Sequence, residues 1–197
     1  MCGGASSRMQ KEIGVNKAFL PFGGKNSLVA YQIDSLSSYF DNIYLSAKEP
    51  KFGTAYSYIY DVTQLHNIDL TTLFAPTLSL YSVLLKIQQD TLFIPIDMPL
   101  ISIQTLKKLL DLSLNNHQAT VLRVDGKIYP TCAVYKPSIL SNLEQMIIKN
   151  LHKLQVFLDE IDTIYLDTSS SEEFVNINNY SEYQRICKNE INTFGRK

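Results

Sequence analysis

Short runs of β-branched and aromatic residues alternate along this chain with amphipathic stretches of helical period, and that alternation limits the possible folds. Ile43-Tyr44-Leu45-Ser46, Tyr56 through Tyr60 ending at Asp61, and Thr91 through Ile96 leading to Asp97 read as buried strands. Between them, Leu28, Val29, Ile33, Leu36 and Phe40 fall on one side of a helix that Asn26 or Ser27 can cap. A second helix opens at Ala75-Pro76, with proline suited to its first turn, and continues through Val83, Leu84 and Ile87. Strand and helix in this order predict an α/β fold, a mostly parallel sheet with helices on both faces. Ligands in such sheets bind beyond the carboxyl ends of the strands, which draws attention to Asp61 and Asp97.

The second half adds an antiparallel part. Ser102 precedes a helix with Leu106, Leu109, Leu110 and Leu114 on one face. Ala119 to Arg123 and Lys127 to Tyr135 read as two strands joined by Asp125-Gly126, a strong hairpin signal. Pro137 begins a helix carrying Ile139, Leu140, Leu143 and Ile147. His152 to Ile161 is amphipathic, Ile164-Tyr165-Leu166 reads as a short strand, and a last helix is expected from Ser181 to about Ile191. Before that helix, strand alternation over Val175-Asn176-Ile177-Asn178 would put both amides on one side. They can hold a ligand by donating and accepting, or simply turn the chain, with Asn179 capping the helix.

A chain of 197 residues is expected to form one domain, 1–197, with a core that needs no metal or disulfide. Its net charge of −1 argues against a nucleic-acid partner. The three cysteines lack metal-ligand spacing and suit a reducing compartment. No run approaches the ~20 apolar residues of a membrane span, and the start of the chain lacks the features of a leader. A cytoplasmic protein without membrane association is expected.

The chain opens with Gly3-Gly4-Ala5-Ser6-Ser7-Arg8-Met9, followed shortly by Asn16-Lys17. Adjacent glycines allow a tight turn whose bare N–H groups can meet an anion. Arg8 adds a planar fork of donors and Lys17 a mobile point charge. The same residues also read as an ordinary glycine turn beside two solvated cations. Gly24-Lys25 is a different matter, because a P-loop requires glycine where Phe19 stands and Ser or Thr where Asn26 stands.

Taken together, Gly3-Gly4-Ala5-Ser6-Ser7-Arg8-Met9, Asp97-Met98-Pro99, Pro130-Thr131-Cys132-Ala133-Val134-Tyr135 and Asn176-Ile177-Asn178 resemble the nucleotidyltransferases that build dinucleotide cofactors and nucleotide sugars. Within that superfamily the likeness is greatest to the molybdenum cofactor guanylyltransferase family, over nearly the whole chain. The resemblance implies a three-layer, Rossmann-like nucleotidyltransferase fold. It implies that Gly3, Gly4, Lys17, Asp61 and Asp97 bind GTP, with Asp61 reading the guanine edge and Asp97 holding Mg2+. Arg8, Lys17 and Asp97 are the catalytic residues expected, and Asn176 and Asn178 would bind the acceptor, molybdopterin (the molybdenum cofactor). GMP would be transferred to the terminal phosphate of molybdopterin with release of pyrophosphate. Molybdoenzymes or other cofactor-biosynthesis proteins are the partners expected.

The chain departs from the family in five places, one of them a loop up to Lys17 that is three residues longer than usual. Only Met1 and Cys2 precede Gly3, so the first strand reads as truncated and the natural start is expected upstream. Gln10 replaces a glycine of the loop, and Ala75 and Ser79 replace the two glycines of the family's Gly-Pro-Leu-x-Gly segment. Two alternatives therefore stay open: a CTP-dependent molybdopterin or sugar-phosphate nucleotidyltransferase, and a catalytically impaired nucleotide-binding relative.

Overall fold

The computed structural model describes Met9, Glu12 and residues 14–194, the last six of these by backbone only. Gly3, Gly4, Arg8 and Gln10 lie outside the described residues, as does the strand expected before Gly3. Two compact units divide the chain: Tyr44–Pro95 with Ile101–Ser171, and the described parts of Ala5–Ile43 and Glu172–Lys197 with Ile96–Leu100.

In the first unit, β1 (Leu45–Ala47) pairs in parallel with β2 (Tyr58–Tyr60). A miniature hairpin, β3 (Gln64–Leu65) with β4 (Ile68–Asp69), follows where the sequence reads only as a polar connection. Two-residue strands are too short to show a period, and His66 turns the chain with φ 50°. Helix α2 (Pro76–Ile87) comes next, α1 belonging to the second unit; it begins on Pro76 as expected and ends on Gln88 in the left-handed conformation. Every residue from Thr77 to Leu84 is buried, so this helix lies within the core.

β5 (Thr91–Phe93) is shorter than the apolar run that announces it, and Pro95, which has no N–H to donate, follows its end. Helix α3 (Ile103–Ser113) starts on Ser102, whose Oγ accepts the Thr105 N–H. The hairpin of β6 (Ala119–Val124) and β7 (Lys127–Tyr135) is as the sequence predicts, with Asp125 and Gly126 at φ 46° and 79°. The register slips between Val121 and Leu122, so that the residues from Pro130 to Cys132 are taken up as a bulge opposite them. A 3-10 turn, Pro137–Ile139, leads into α4 (Leu140–Ile148), and α5 (Leu154–Leu158) precedes β8 (Thr163–Thr168).

These strands form a sheet of order β5-β7-β6-β8, in which only β6 and β8 run parallel. The antiparallel part expected from Asp125-Gly126 thus sits inside the sheet, because β7 inserts between β5 and its own hairpin partner. Tyr135, at the end of β7, shows how the core treats a polar atom. Its ring meets Phe93 edge-on at 5.8 Å and its hydroxyl donates to the Pro130 carbonyl at 2.8 Å. Burial pushes the acidity of that hydroxyl well below that of a free tyrosine. Leu78, Leu84, Val121, Ile139, Leu143 and Phe157 pack in the same cluster with almost no exposed surface. Truncating one such Leu or Phe to Ala would cost about 2–5 kcal/mol.

The second unit has a 3-10 turn at Lys17–Phe19, then α1 (Leu28–Ser37), the Ile96–Leu100 loop, another 3-10 turn at Glu172–Phe174 and the final helix α6 (Tyr180–Phe194). Gly23 and Gly24, both at positive φ, close a turn whose flanks Phe22 and Lys25 pair antiparallel. Ser27 then caps α1 by accepting the Ala30 N–H at 3.0 Å. The helix ends at Ser37, earlier than Phe40, and the N–H groups of Tyr39 and Phe40 share the Leu36 carbonyl in the turn that follows. No strand forms over 175–178, contrary to the alternation seen in the sequence. A 3-10 turn precedes this segment, and the N–H groups of Ile177 and Asn178 are used outside any ladder.

Among the described residues no helix is long and apolar enough to cross a membrane.

Candidate functional site

Lys17 and Asp97 are 80 residues apart in the chain and meet in the second unit: Lys17 Nζ donates to Asp97 Oδ2 at 2.7 Å. Local structure fixes both ends. Asn16 accepts the Ala18 N–H and so caps the turn that carries Lys17, while buried Ala18 anchors it. Asp97 lies on a loop tied at consecutive carbonyls, that of Asp97 by the Ile177 N–H at 2.8 Å and that of Met98 by Gln32 Nε2 at 3.3 Å. Met98 and Ile177 are fully buried beside these bonds. The two side chains remain partly open, 16% exposed for Lys17 and 27% for Asp97. A half-open ammonium against a carboxylate can exchange its partner for a phosphate oxygen, and the carboxylate can exchange the ammonium for a metal ion.

Ile177 was not singled out by its sequence. Its carbonyl lies 3.4 Å from Lys17 Nζ, so the segment that carries Asn176 and Asn178 runs directly past the Lys17–Asp97 pair. Asn176 is half-buried and Asn178 exposed. Asn178 donates its backbone N–H to Glu182 Oε2 at 2.7 Å, and Asn179 Oδ1 accepts the Glu182 N–H at 2.9 Å, a reciprocal cap for α6. Asn179 therefore has the capping role, leaving the side chains of Asn176 and Asn178 for other uses.

Asp61 belongs to the first unit, immediately after β2. One of its oxygens, Oδ1, is shut off from solvent and hydrogen-bonds no described group. Its carboxyl bonds Ser79 in the first turn of α2 and feels the charge of Lys48. Burial outweighs both and holds its pKa above the ordinary 3.8. Ser79 is one of the two residues that replace glycine in the resembled segment, so that departure brings Asp61 a hydrogen bond. Its neighbour Ser82 accepts the Val62 N–H at 2.9 Å and donates to the Leu78 carbonyl at 2.7 Å. Thr77 bonds His152 Nδ1 at 2.9 Å. The polar residues of an otherwise apolar helix thus fix the chain just after β2, beside Asp61.

No group of three or more His, Cys, Asp or Glu capable of holding a metal occurs among the described residues. A single partly open carboxylate is nevertheless a fitting donor for Mg2+, which keeps several waters and completes its oxygen shell with substrate phosphates. Asp97 meets that requirement through its partial exposure.

The described residues thus form an α/β architecture with a partly open lysine–aspartate pair in one unit and a desolvated aspartate in the other. The family model described as MobA-like NTP transferase domain matches residues 1–164, and the chain belongs to that family of nucleotidyltransferases. It is 30% identical over 187 residues to a molybdenum cofactor guanylyltransferase of Campylobacter jejuni, covering 94% of this chain and 92% of that one. A protein of the same name from Helicobacter pylori is 26% identical, with 93% and 88% covered. Among solved structures, the molybdopterin-guanine dinucleotide biosynthesis protein A of Archaeoglobus fulgidus superposes with a TM-score of 0.74 at 20% identity, covering 95% of this chain and 94% of that one. A nucleotidyl transferase of Methanothermobacter gives 0.70 at 20% identity, with 98% and 95% covered.

Proposed function

We propose that this nucleotidyltransferase acts in molybdenum cofactor biosynthesis, transferring GMP from GTP to the terminal phosphate of molybdopterin. The observation that carries the reading is the Lys17–Asp97 contact at 2.7 Å on two separately anchored turns, in a chain whose relatives are named for this reaction. An acceptor phosphate oxygen forms a bond to the α-phosphorus of GTP as the bond to the β-phosphate oxygen breaks, and pyrophosphate leaves. The acceptor is already anionic near neutral pH, so no protein base is required. Lys17 gives up Asp97 and turns its ammonium to the phosphates, neutralising charge that builds on the leaving pyrophosphate. Asp97 is the residue that would hold Mg2+. The bound ion supplies further charge neutralisation and alignment of phosphate oxygens. Gly3, Gly4 and Arg8 are assigned to the phosphates on the sequence alone. Asp61 accepts hydrogen bonds from the N1–H and N2 amino edge of guanine, and Asn176 and Asn178 receive the acceptor. We place the reaction in the cytoplasm, with the product passed to molybdoenzymes or their assembly partners.

The test is incubation with Mg2+, molybdopterin and each of the four nucleoside triphosphates in turn, measuring pyrophosphate and the dinucleotide product. GTP should give both. Product from CTP alone would transfer the reading to a cytidylyl enzyme, and no product from any nucleotide would leave a binding protein.

A further inference from the structure

We propose that Phe74 is the surface on which the nucleotide base stacks, an inference that rests on Asp61 reading the edge of that base. A purine is recognised by its edge and by its face, and a carboxylate meets only the edge. Phe74 directly precedes Ala75-Pro76 at the start of α2, the helix whose Ser79 bonds Asp61. It is 62% exposed, more than any other phenylalanine recorded as exposed among the described residues. Leaving most of a phenyl ring in water forgoes part of the free energy of its burial, so such a ring at a helix start invites a ligand.

The ring is also held. Lys48 Nζ lies over it at 4.0 Å from the centroid and donates to the Thr71 carbonyl at 2.8 Å. One face is thereby occupied by a cation, and the high exposure leaves the other face open. The same Lys48 acts electrostatically on Asp61, so the edge reader and the ring share one lysine. Tyr60 is the competing aromatic, 47% exposed and adjacent to Asp61. Strand alternation sends it to the side opposite Asp61, and its ring is already stacked on Tyr58 at 5.7 Å. A cation over the far face also leaves Phe74 well placed to stack a base, which binds through its π-face whatever its identity.

The experiment exploits the absence of tryptophan from this protein. In Phe74→Trp, the single indole should be quenched by GTP and not by inorganic tripolyphosphate, which has no base. Phe74→Ala should weaken GTP binding, measured by equilibrium dialysis, roughly 10- to 100-fold, and Phe74→Tyr should restore it. Because the side chain is exposed, circular dichroism of Phe74→Ala should match wild type. Wild-type affinity in Phe74→Ala, or Phe74→Trp fluorescence indifferent to GTP at saturation, overturns the role of Phe74 while GTP binding stands. Failure of the wild-type protein to bind GTP would overturn the functional reading, and this inference with it.

Discussion

Asp61 and Asp97 follow strands of similar apolar character, yet their surroundings assign them opposite chemistry. Asp97 has an ammonium at 2.7 Å, partial exposure, and a loop held through its carbonyls, so its oxygens are exchangeable. Asp61 is desolvated, bonded to a hydroxyl, and left with one oxygen that has no partner among the described residues. The first arrangement suits a cation that comes and goes. The second suits a neutral donor pair that arrives once, in one orientation. One aspartate is paired with a cation and the other is desolvated, and in the proposed reading this contrast separates phosphate chemistry from base choice.

If that separation is right, removing either member of the charged pair should damage turnover more than anything done to Asp61. Lys17→Ala and Asp97→Ala are each expected to lower kcat/KM by about 10²–10³-fold or more, the scale seen when a single charge-stabilising group is lost. Circular dichroism should be unchanged, since neither side chain is fully buried. Near-wild-type turnover by either variant would remove that residue from the reaction.

Asp61→Asn should act on selectivity instead. An amide presents its own N–H groups to the guanine donors, so the ratio of kcat/KM for GTP to that for ATP should fall by the equivalent of about 1–3 kcal/mol, while residual turnover keeps its Mg2+ dependence. An unaltered ratio would separate Asp61 from base choice.

How much of this division was legible before folding can be read from particular residues. Ser27 and Ser102 cap helices, Pro76 starts one, and Asp125-Gly126 turns a hairpin; each is a local signal, decided by a few neighbouring residues. The acids at the strand ends were visible for the same reason. Their environments were not: Ser79 and Lys48 reach Asp61 from different elements, and Ile177 reaches Asp97 from 80 residues away, through backbone atoms that carry no side-chain signature. The strand expected over 175–178 is absent because the Ile177 N–H goes to the Asp97 carbonyl, a long-range partner that periodicity cannot register.

The same aspartate should show its cost in stability. Burial raises the folded pKa of Asp61 above the unfolded 3.8, so the folded state binds the proton more tightly than the unfolded chain does. Its protonated form is therefore accommodated without penalty below pH 3.8, and the penalty grows as pH rises through the folded pKa. Asp61→Asn, which carries no charge at any pH, should raise Tm near neutrality, and the gain should shrink as pH falls towards 3.8. A variant less stable than wild type at pH 7 would mean that Ser79 and Lys48 outweigh desolvation.

The smallest effect is expected at the other lysine that follows a glycine pair. The ammonium of Lys25 meets Asp34 at 2.9 Å, with the side chains 40% and 61% exposed. An ion pair in that setting is worth about 0–1 kcal/mol and weakens with salt. Lys25→Ala should leave kcat/KM for GTP within a factor of two or so and shift Tm barely, whereas Lys17→Ala, which removes the same charge from a lysine 16% exposed, should show the far larger loss given above. The turn holds Gly23 and Gly24 at positive φ, which accounts for both glycines without a ligand. A large kinetic loss in Lys25→Ala would show instead that this turn grips the triphosphate, and the contrast between an anchored, half-open lysine and a solvated one would no longer account for which cation the reaction uses.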